Sequence, residues 1–391
     1  MNPLRAWFAA SVVVLFTVAP MSAIAADDSP ASTVPASNAH AAELNNHGVT
    51  IAKGGDFEQG IALVRQAMQA APDDPTYRTN LSGMLTDWAG QLSQQGRSDD
   101  AIHALEEAAQ LNPANGGALV ALGTLSYTVR NDLSRAIDYW TRAHGHIPAD
   151  QWQVLSDRLT RMQQDQQIER GFSGVTTEHF TIRYQSSQSN QGADALGASL
   201  EAAYRRVQAA VGRGPETVPV IVYTAPSFQR VAGRRDWAVG LYDGRIRLRV
   251  DDVGSPRQEA IITHELAHAF LSSTYGPRLP TWIHEGFAQV MEPSQALNDR
   301  QDAARRAVES RTAWVPLKWL DRRFEQPSRN EDVEYAYMEA RVAVQRLVDR
   351  YGMPAFQTFV ANVAHGTPVD RACEQAMPGA KWAKIDQGSF D

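Results

Sequence analysis

The chain opens with an apolar run and then changes to amphipathic helical spacing. Residues 1–25 hold one early basic residue, Arg5, then an apolar core, and end in the small residues Ala23-Ile24-Ala25. This order is typical of a secretory signal peptide, so we predict export, to the periplasm or out of the cell, with cleavage near Ala25. An uncleaved anchor is the alternative. Pro20 interrupts the apolar run, which is short for a bilayer span of about 20 residues, so the mature chain is expected to have no stable membrane span.

Helical periodicity governs the next part of the chain. Residues 26–40, rich in Ala, Ser and Pro, predict a flexible tether. Residues 41–150 place apolar side chains at helical spacing in three successive helix pairs. Residues 151–175 predict a connecting helix and linker, because the helical spacing gives way to Gly171 and Gly174. An all-α N-terminal domain is therefore expected.

The three helix pairs share small residues at helix crossings, an apolar packing residue and a closing proline. These residues are Gly48, Gly55, Phe57, Gly60, Ala67 and Pro72, then Gly96, Ala101, Leu105, Ala108 and Pro113, then Gly123, Tyr127, Ala136, Ala143 and Pro148. The set resembles the tetratricopeptide repeat, although the step from Pro72 to Pro113 exceeds the usual period of about 34 residues. The resemblance implies stacked helical hairpins with a concave surface for a peptide or partner protein; a plain spacer is the alternative.

Strand patterns begin near residue 176. Residues 179–184 alternate between polar and apolar positions, and residues 218–223 form a β-branched run, so each predicts a strand. The turn dipeptide Asp243-Gly244 predicts a hairpin in residues 240–250. We expect an antiparallel or mixed sheet covered by helices. The predicted helices lie at about 192–212, 256–275, 354–365 and 367–377.

The second strand of this hairpin alternates strictly between arginine and apolar residues over 245–250. If it forms the sheet edge, its free backbone groups could hold an extended peptide by strand addition. The arginines could equally serve to solubilise that edge. Both uses place the arginines at an exposed border of the sheet.

Charge and cysteine content narrow the functional classes. The 391 residues carry a formal net charge of -7, and the isoelectric point is near 5.8, which argues against nucleic acid as a partner. Cys373 is the single cysteine of the sequence, so no internal disulfide can form. It falls in a predicted C-terminal helix, where a buried apolar role is expected.

The predicted helix over 256–275 contains His264-Glu265-Leu266-Ala267-His268. Two histidines four positions apart lie on one helix face and can hold one metal ion, while Glu265 can act as general base on a water there. The expected helix ends are set by four residues: Ser255 as N-cap, Pro256 at the first position, Gln258 completing a capping box and Gly276 after the last turn. A chance occurrence of this short pattern is the alternative.

A catalytic zinc needs a third protein ligand. The arrangement H-E-x-x-H-x-x-G-x-x-H is excluded, because Leu271 and Thr274 occupy the positions of its glycine and third histidine. His284 and Glu285 are the next candidates. Neighbouring helical residues point about 100° apart, so only one of the two is expected to face the metal, and the spacing does not choose between them.

Both histidine-bearing segments together resemble a known family. The H-E-x-x-H segment followed by W-x-x-E-G-x-A at residues 282–288 is similar to the gluzincin peptidases, particularly peptidase MA-like domains. The resemblance implies that Glu285 is the third ligand of one Zn²⁺ per chain, with His284 as a neighbour. It also implies an oxyanion-stabilising tyrosine, for which Tyr337, expected to open a helix ending at Gly352, is the candidate and Tyr335 the alternative.

The expected protein is α+β, with a tetratricopeptide-like helical domain followed over 176–391 by a gluzincin-like domain with a small mixed sheet and an active-site helix. The expected function is an exported zinc metallopeptidase that acts on a peptide or protein, with Glu265 as general base. Internal cleavage is favoured, because Gly240-Leu241-Tyr242-Asp243 stands where aminopeptidases of this family carry G-x-M-E-N. The alternative is a cell-envelope scaffold with little or no activity, whose repeats bind a partner.

Overall fold

The computed structural model describes residues 36–185, 190–232, 240–276, 279–293, 305–310, 314–325 and 330–390. The predicted signal peptide, residues 1–25, lies outside these ranges. Within them the protein is mostly helical and has one small mixed sheet of five strands, so the α+β class is confirmed. The chain divides into two compact units, with the boundary between Gln167 and Ile168.

The first unit consists of helices that pack chiefly on their neighbours in the chain. They are α1 (Ala36–Lys53), α2 (Phe57–Ala70), α3 (Pro75–Gln94), α4 (Ser98–Leu111), α5 (Gly116–Thr128), α6 (Leu133–Arg142) and α7 (Ala149–Ile168). The helices pack in the pairs α1 with α2, α3 with α4 and α5 with α6. Because α1 begins at Ala36, its first turn lies within the segment for which the composition predicts a tether.

Side-chain caps set several of these helix starts. The carboxylates of Asp56, Asp74 and Asp132 each accept a backbone N–H from the first turn of the helix that follows. Asn115 caps α5 in the same way and also donates through Nδ2 to Ser82 Oγ on α3, at 2.8 Å. Short polar side chains before α2, α3, α5 and α6 therefore fix where these four helices begin.

The second unit contains all the strands in the described part of the chain. Its first half comprises β1 (Ser173–Thr176), β2 (Phe180–Tyr184), α8 (Asn190–Val211), β3 (Val218–Tyr223), α9 (Ala225–Ala232), β4 (Gly240–Tyr242), β5 (Ile246–Arg249) and α10 (Gln258–Tyr275). Its second half comprises α11 (Thr281–Met291), α12 (Leu317–Glu325), α13 (Asn330–Tyr351), α14 (Met353–Ala364), α15 (Val369–Ala376) and α16 (Trp382–Ile385). Residues 305–309 are also helical.

The sheet has the order β1-β2-β3-β5-β4. The three central strands β2, β3 and β5 are parallel, whereas β1 and β4 pair antiparallel at the two edges. Apolar side chains on one face of the sheet form the main core together with α8 and α10. The condition for strand addition at the arginine-bearing strand is not met, because that strand is β5, which pairs with β3 on one side and β4 on the other.

Two of the three arginines in residues 245–250 are buried. The third, Arg249, has a side chain that is 29% exposed and pairs with Asp252. Arg245 is 0% exposed, and its Nη2 donates to Glu169 Oε2 at 2.6 Å. Arg247 is 2% exposed and donates to Asp243 and to the hydroxyl of Tyr223. The basic stripe therefore solubilises no edge; it meets carboxylates on the face of the sheet opposite the main core.

The helix that carries the H-E-x-x-H segment starts later than predicted. α10 begins at Gln258, because Ser255 Oγ donates to the carbonyl of Asp252 at 2.7 Å and holds residues 252–255 in a turn. The end is as predicted: Gly276 follows the last turn with φ of 77°, a conformation that favours glycine. Most of α10 is buried, in agreement with its apolar sequence.

Two further expectations can be compared with the structure. Cys373 is buried in α15, so the predicted apolar role is confirmed. Within the described ranges, every helix falls short of the length and apolar character that crossing a membrane requires.

Candidate metal centre

Two helices bring the candidate metal ligands together. α10 carries His264, Glu265 and His268, and α11 carries Glu285 and packs against α10. The start of α11 is fixed from outside, because the Asp321 carboxylate on α12 accepts the backbone N–H groups of Thr281 and Trp282, at 3.1 and 3.0 Å. This side chain serves as the N-terminal cap that the α11 sequence itself lacks.

The close approach of α11 to α13 depends on Gly286. A Cβ at this position would lie 2.3 Å from the carbonyl oxygen of Ala340, far inside van der Waals contact. One turn further, Gln289 Nε2 donates to the carbonyl of Tyr337 on α13 at 2.9 Å. Glu285, next to Gly286, is therefore held between a capped helix start and a tight helix contact.

The three ligand atoms converge on one point. His264 Nε2 lies 3.2 Å from His268 Nε2, and Glu285 Oε2 lies 3.4 and 3.6 Å from these two nitrogens. Ligands at about 2.0–2.1 Å from a tetrahedral zinc ion are about 3.3–3.4 Å apart. The spacing, the nitrogen and carboxylate donors and their burial fit a zinc ion bound by these three residues.

Glu292 contacts His264 at Nδ1, the ring nitrogen that does not face the other candidate ligands. Its Oε1 lies 2.7 Å from His264 Nδ1, so the carboxylate can accept the Nδ1–H and leave Nε2 to face the other ligands. Burial opposes a charge on His264, but the hydrogen bonds to Glu285 and Glu292 outweigh it and raise the pKa of the imidazole well above its ordinary value. The negative surroundings that hold this proton also suit a cation.

The other metal-facing histidine has a different environment. Burial, followed by the nearby His264, lowers the pKa of His268 well below its ordinary value, so the ring is neutral at pH 7. A neutral imidazole has a lone pair for a metal ion. Within the described ranges, its Nδ1 has no hydrogen-bond partner.

Glu265 lies against the edge strand β4. Its carboxylate accepts the backbone N–H of Tyr242, and a Cβ at Gly240 would lie 2.7 Å from its Oε1. Burial raises the pKa of Glu265 to about 8, with further contributions from the nearby Glu285 and Glu292. This pKa applies to the centre without a metal ion; a bound cation would lower it and leave the carboxylate ionised, which is the form that can take a proton from water.

His284, the other candidate for third ligand, lies beside the centre. Its ring centroid is 5.7 Å from that of His268, and burial lowers its pKa to about 4, so it is neutral at pH 7. Glu285 is the residue of this pair whose oxygen approaches both Nε2 atoms. Of the two candidates, Glu285 is thus the one that α11 turns towards His264 and His268.

The two tyrosines occupy different surroundings on α13. Tyr337 lies in the middle of this helix, which begins at Asn330, so the prediction that it opens a helix is wrong. Its ring packs edge-on against Phe324, with centroids 5.0 Å apart. Tyr335 packs against a separate apolar cluster that includes Met338. Tyr337, through its carbonyl and Gln289, is the one joined to the ligand-bearing helix.

A second group of potential ligands has a structural explanation. Glu178, His179 and Glu201 also lie close together. Glu201 accepts the hydroxyl of Thr177 at 2.6 Å, the backbone N–H of His179 at 2.9 Å and a contact from His179 Nδ1 at 2.8 Å. Its oxygens are thus used to hold the turn that leads into β2.

Comparison with known proteins adds no relative to this description. No family model matches the chain, and no curated protein matches it significantly in sequence.

Proposed function

We propose that the chain is a zinc-dependent peptidase whose metal is held by His264, His268 and Glu285. The observation that carries this proposal is the convergence of two Nε2 atoms and one carboxylate oxygen, 3.2–3.6 Å apart, next to the buried carboxylate of Glu265. A structural zinc site needs four ligands and no neighbouring base. Three ligands with a buried glutamate beside them favour catalysis.

Glu265 is the general base of the proposed reaction. Bound zinc would supply Lewis acidity, which makes water easier to deprotonate and polarises the peptide carbonyl. Glu265 takes the proton of the attacking water and then delivers it to the leaving amine. Glu265 is 2% exposed, so the proton that it takes is kept from bulk water between the two steps.

Internal cleavage of a peptide or protein is proposed on the sequence, because Gly240-Leu241-Tyr242-Asp243 stands where aminopeptidases of the resembled family carry G-x-M-E-N. In the structure the three residues of β4 in this segment are buried, and the Tyr242 N–H donates to Glu265. The edge of β4 beside the centre is therefore occupied by the carboxylate of the proposed general base.

Three further parts of the proposal follow from sequence. Tyr337 is proposed to stabilise the oxyanion, as the resemblance to gluzincin peptidases implies. The helices of residues 41–150 are proposed to form tetratricopeptide-like repeats that recruit substrate or a partner protein. Residues 1–25 are proposed to direct export.

The test compares wild type with Glu265→Gln in metal content and in cleavage of a peptide library. Both proteins are expected to bind one zinc ion, and Glu265→Gln is expected to cleave about 10²–10⁴-fold more slowly, because only the proton transfer is lost. Glu259→Gln is the matched control: this exposed glutamate of α10 pairs with Arg206 and should leave cleavage unchanged. A zinc-free wild type, or equal cleavage by both proteins, would contradict the proposal and favour a scaffold.

A further inference from the structure

The β4–β5 hairpin turns one side of its backbone towards Glu265. Asp243 N–H donates to Arg245 O across the turn, at 3.3 Å, and Leu241 pairs with Arg247. Since orientation alternates along a strand, the intervening residue Tyr242 directs its N–H to the free edge. That N–H is the group that Glu265 accepts.

The side chains on the far face of this hairpin form a polar network that is buried except at Asp243, whose side chain is 34% exposed. Arg247 donates to both carboxylate oxygens of Asp243, at 3.3 and 3.1 Å, and to the Tyr223 hydroxyl at 2.9 Å. Tyr223 in turn donates to Glu169 Oε1, and Arg245 donates to Glu169 Oε2, both at 2.6 Å. We call these five residues the hairpin network.

Stability alone does not explain why this face is ionic. The apolar residues Ile221, Phe228 and Leu241 already fill the same side of the sheet. Replacing a buried ion pair by apolar side chains is often neutral or stabilising. The planar guanidinium of Arg247 makes directional hydrogen bonds. Its bonds to Asp243 and Tyr223 can form together only when the turn is in one position.

The position of Asp243 in the chain links the Arg247 hydrogen bonds to Glu265. Asp243 directly follows Tyr242, so fixing its side chain fixes the peptide units next to the N–H that Glu265 accepts. β4 is only three residues long. A strand this short, paired on one side in the described part of the chain, has few backbone bonds of its own to hold it.

We propose that Arg247 is a positioning residue for Glu265: from the far face of the sheet it fixes the β4–β5 hairpin and thereby the Tyr242 N–H that orients the general base. The kinetic part of this inference rests on the proposed function. The structural part does not, because the rigidity of the hairpin can be measured without any reaction.

The test measures amide hydrogen exchange of residues 240–249 in the full-length protein, together with zinc content, kcat and KM. Arg247→Gln should speed exchange at Tyr242 and lower kcat about 10- to 100-fold, since a displacement of about 1 Å can have that effect. KM and zinc content should stay within about twofold of wild type. Arg247→Lys, which restores one bond to Asp243, should recover part of the loss.

Arg183→Gln is the matched control. Arg183 lies on β2 and contacts the same Glu169, at 3.5 Å, but is not part of the hairpin. Its loss should leave hairpin exchange and kcat unchanged. If Arg247→Gln does not fold, Tyr223→Phe decides the question, because it removes only the hydroxyl that links Arg247 to Glu169 and should still speed exchange.

The two proposals can fail separately. Wild-type exchange rates at residues 240–249 in folded Arg247→Gln or Tyr223→Phe would overturn the role of Arg247, whatever the enzyme does. Faster exchange in Arg247→Gln with unchanged kcat would also overturn it. An inactive wild type would contradict the peptidase proposal alone, since the exchange measurement still reports on the hairpin.

Discussion

Replacing Glu292 with alanine is expected to weaken zinc binding without removing any of the three ligands. The carboxylate lies 2.7 Å from His264 Nδ1, at the short end of charge-assisted hydrogen bonds, and each side chain is only slightly exposed, Glu292 at 11% and His264 at 12%. Without Glu292 the ring loses the acceptor that keeps the proton on Nδ1. Part of the binding energy of zinc is then spent on ordering the imidazole.

The expected loss follows from the strength of that bond. A hydrogen bond to a charged partner contributes about 1.5–3 kcal/mol, and about 1.4 kcal/mol corresponds to a factor of ten in affinity. Glu292→Ala should therefore weaken zinc binding about 10- to 100-fold, which is also the range for outer-shell partners of metal ligands. Glu292→Gln keeps an acceptor oxygen but loses the charge, so its loss should be about 1 kcal/mol, or roughly fivefold.

The measurement is a competition titration of zinc against a chelator of known affinity, at fixed pH and salt. Glu259→Gln is again the control, because it removes a carboxylate from an exposed position of α10, where Glu259 pairs with Arg206 and not with His264. Circular dichroism should show that each variant is folded. If folded Glu292→Ala binds zinc within twofold of wild type, then Glu292 does not support His264, and the reasoning from the 2.7 Å contact is refuted.

Two other predictions concern the ligand choice and pH. Glu285→Ala should release zinc and His284→Ala should largely retain it, as metal analysis after dialysis will show; the reverse result would make His284 the ligand. Burial raises the pKa of Glu339 to about 8, from 4.5, so between these values the folded protein keeps a proton that the unfolded chain has released. Stability from this group is full below pH 4.5 and lost as pH rises through 8. In urea unfolding of zinc-free protein, the stability of Glu339→Gln relative to wild type should therefore rise by roughly 5 kcal/mol from pH 4.5 to pH 8. A stability difference that stays constant over this pH range would contradict the reasoning.

Local patterns in the sequence predicted the elements that surround the site. The alternation at residues 179–184 and the β-branched run at 218–223 correspond to β2 and β3. Asp243-Gly244 forms the expected turn, and Gly276 ends α10. Each of these signals depends on residues within about one turn or strand of one another, which is why it can be read directly.

Arg245 and Arg247 show where a prediction from neighbouring residues in the sequence fails. Alternation with apolar residues is typical of an exposed strand face. Here the partner that makes burial possible, Glu169, stands 76 positions before Arg245. No pattern within the strand reveals that pairing. The burial of a charge depends on the tertiary partner, and so does the position of the strand in the sheet.

Glu292 and Asp321 were missed for different reasons. Glu292 follows Glu285 by seven residues, about two helical turns, so it lies on the same side of α11, and this spacing could have indicated a second carboxylate near the metal. Asp321 stands 40 positions after Thr281, whose N–H it accepts, and no spacing rule connects the two. The sequence identifies the candidate ligands, whereas most of the contacts that hold these side chains in place cannot be predicted from it.

The dependence of α11 on later residues sets an order of events during synthesis. A chain leaves the ribosome N-terminus first, so both histidines emerge well before Asp321, which caps α11, and Ala340, against which Gly286 packs. Until those residues are present, Glu285 has no fixed position and a nascent chain offers zinc only two well-placed ligands. In the proposed enzyme, zinc capture therefore follows the synthesis of residue 340, and a loaded centre would show that α11, α12 and α13 have packed together.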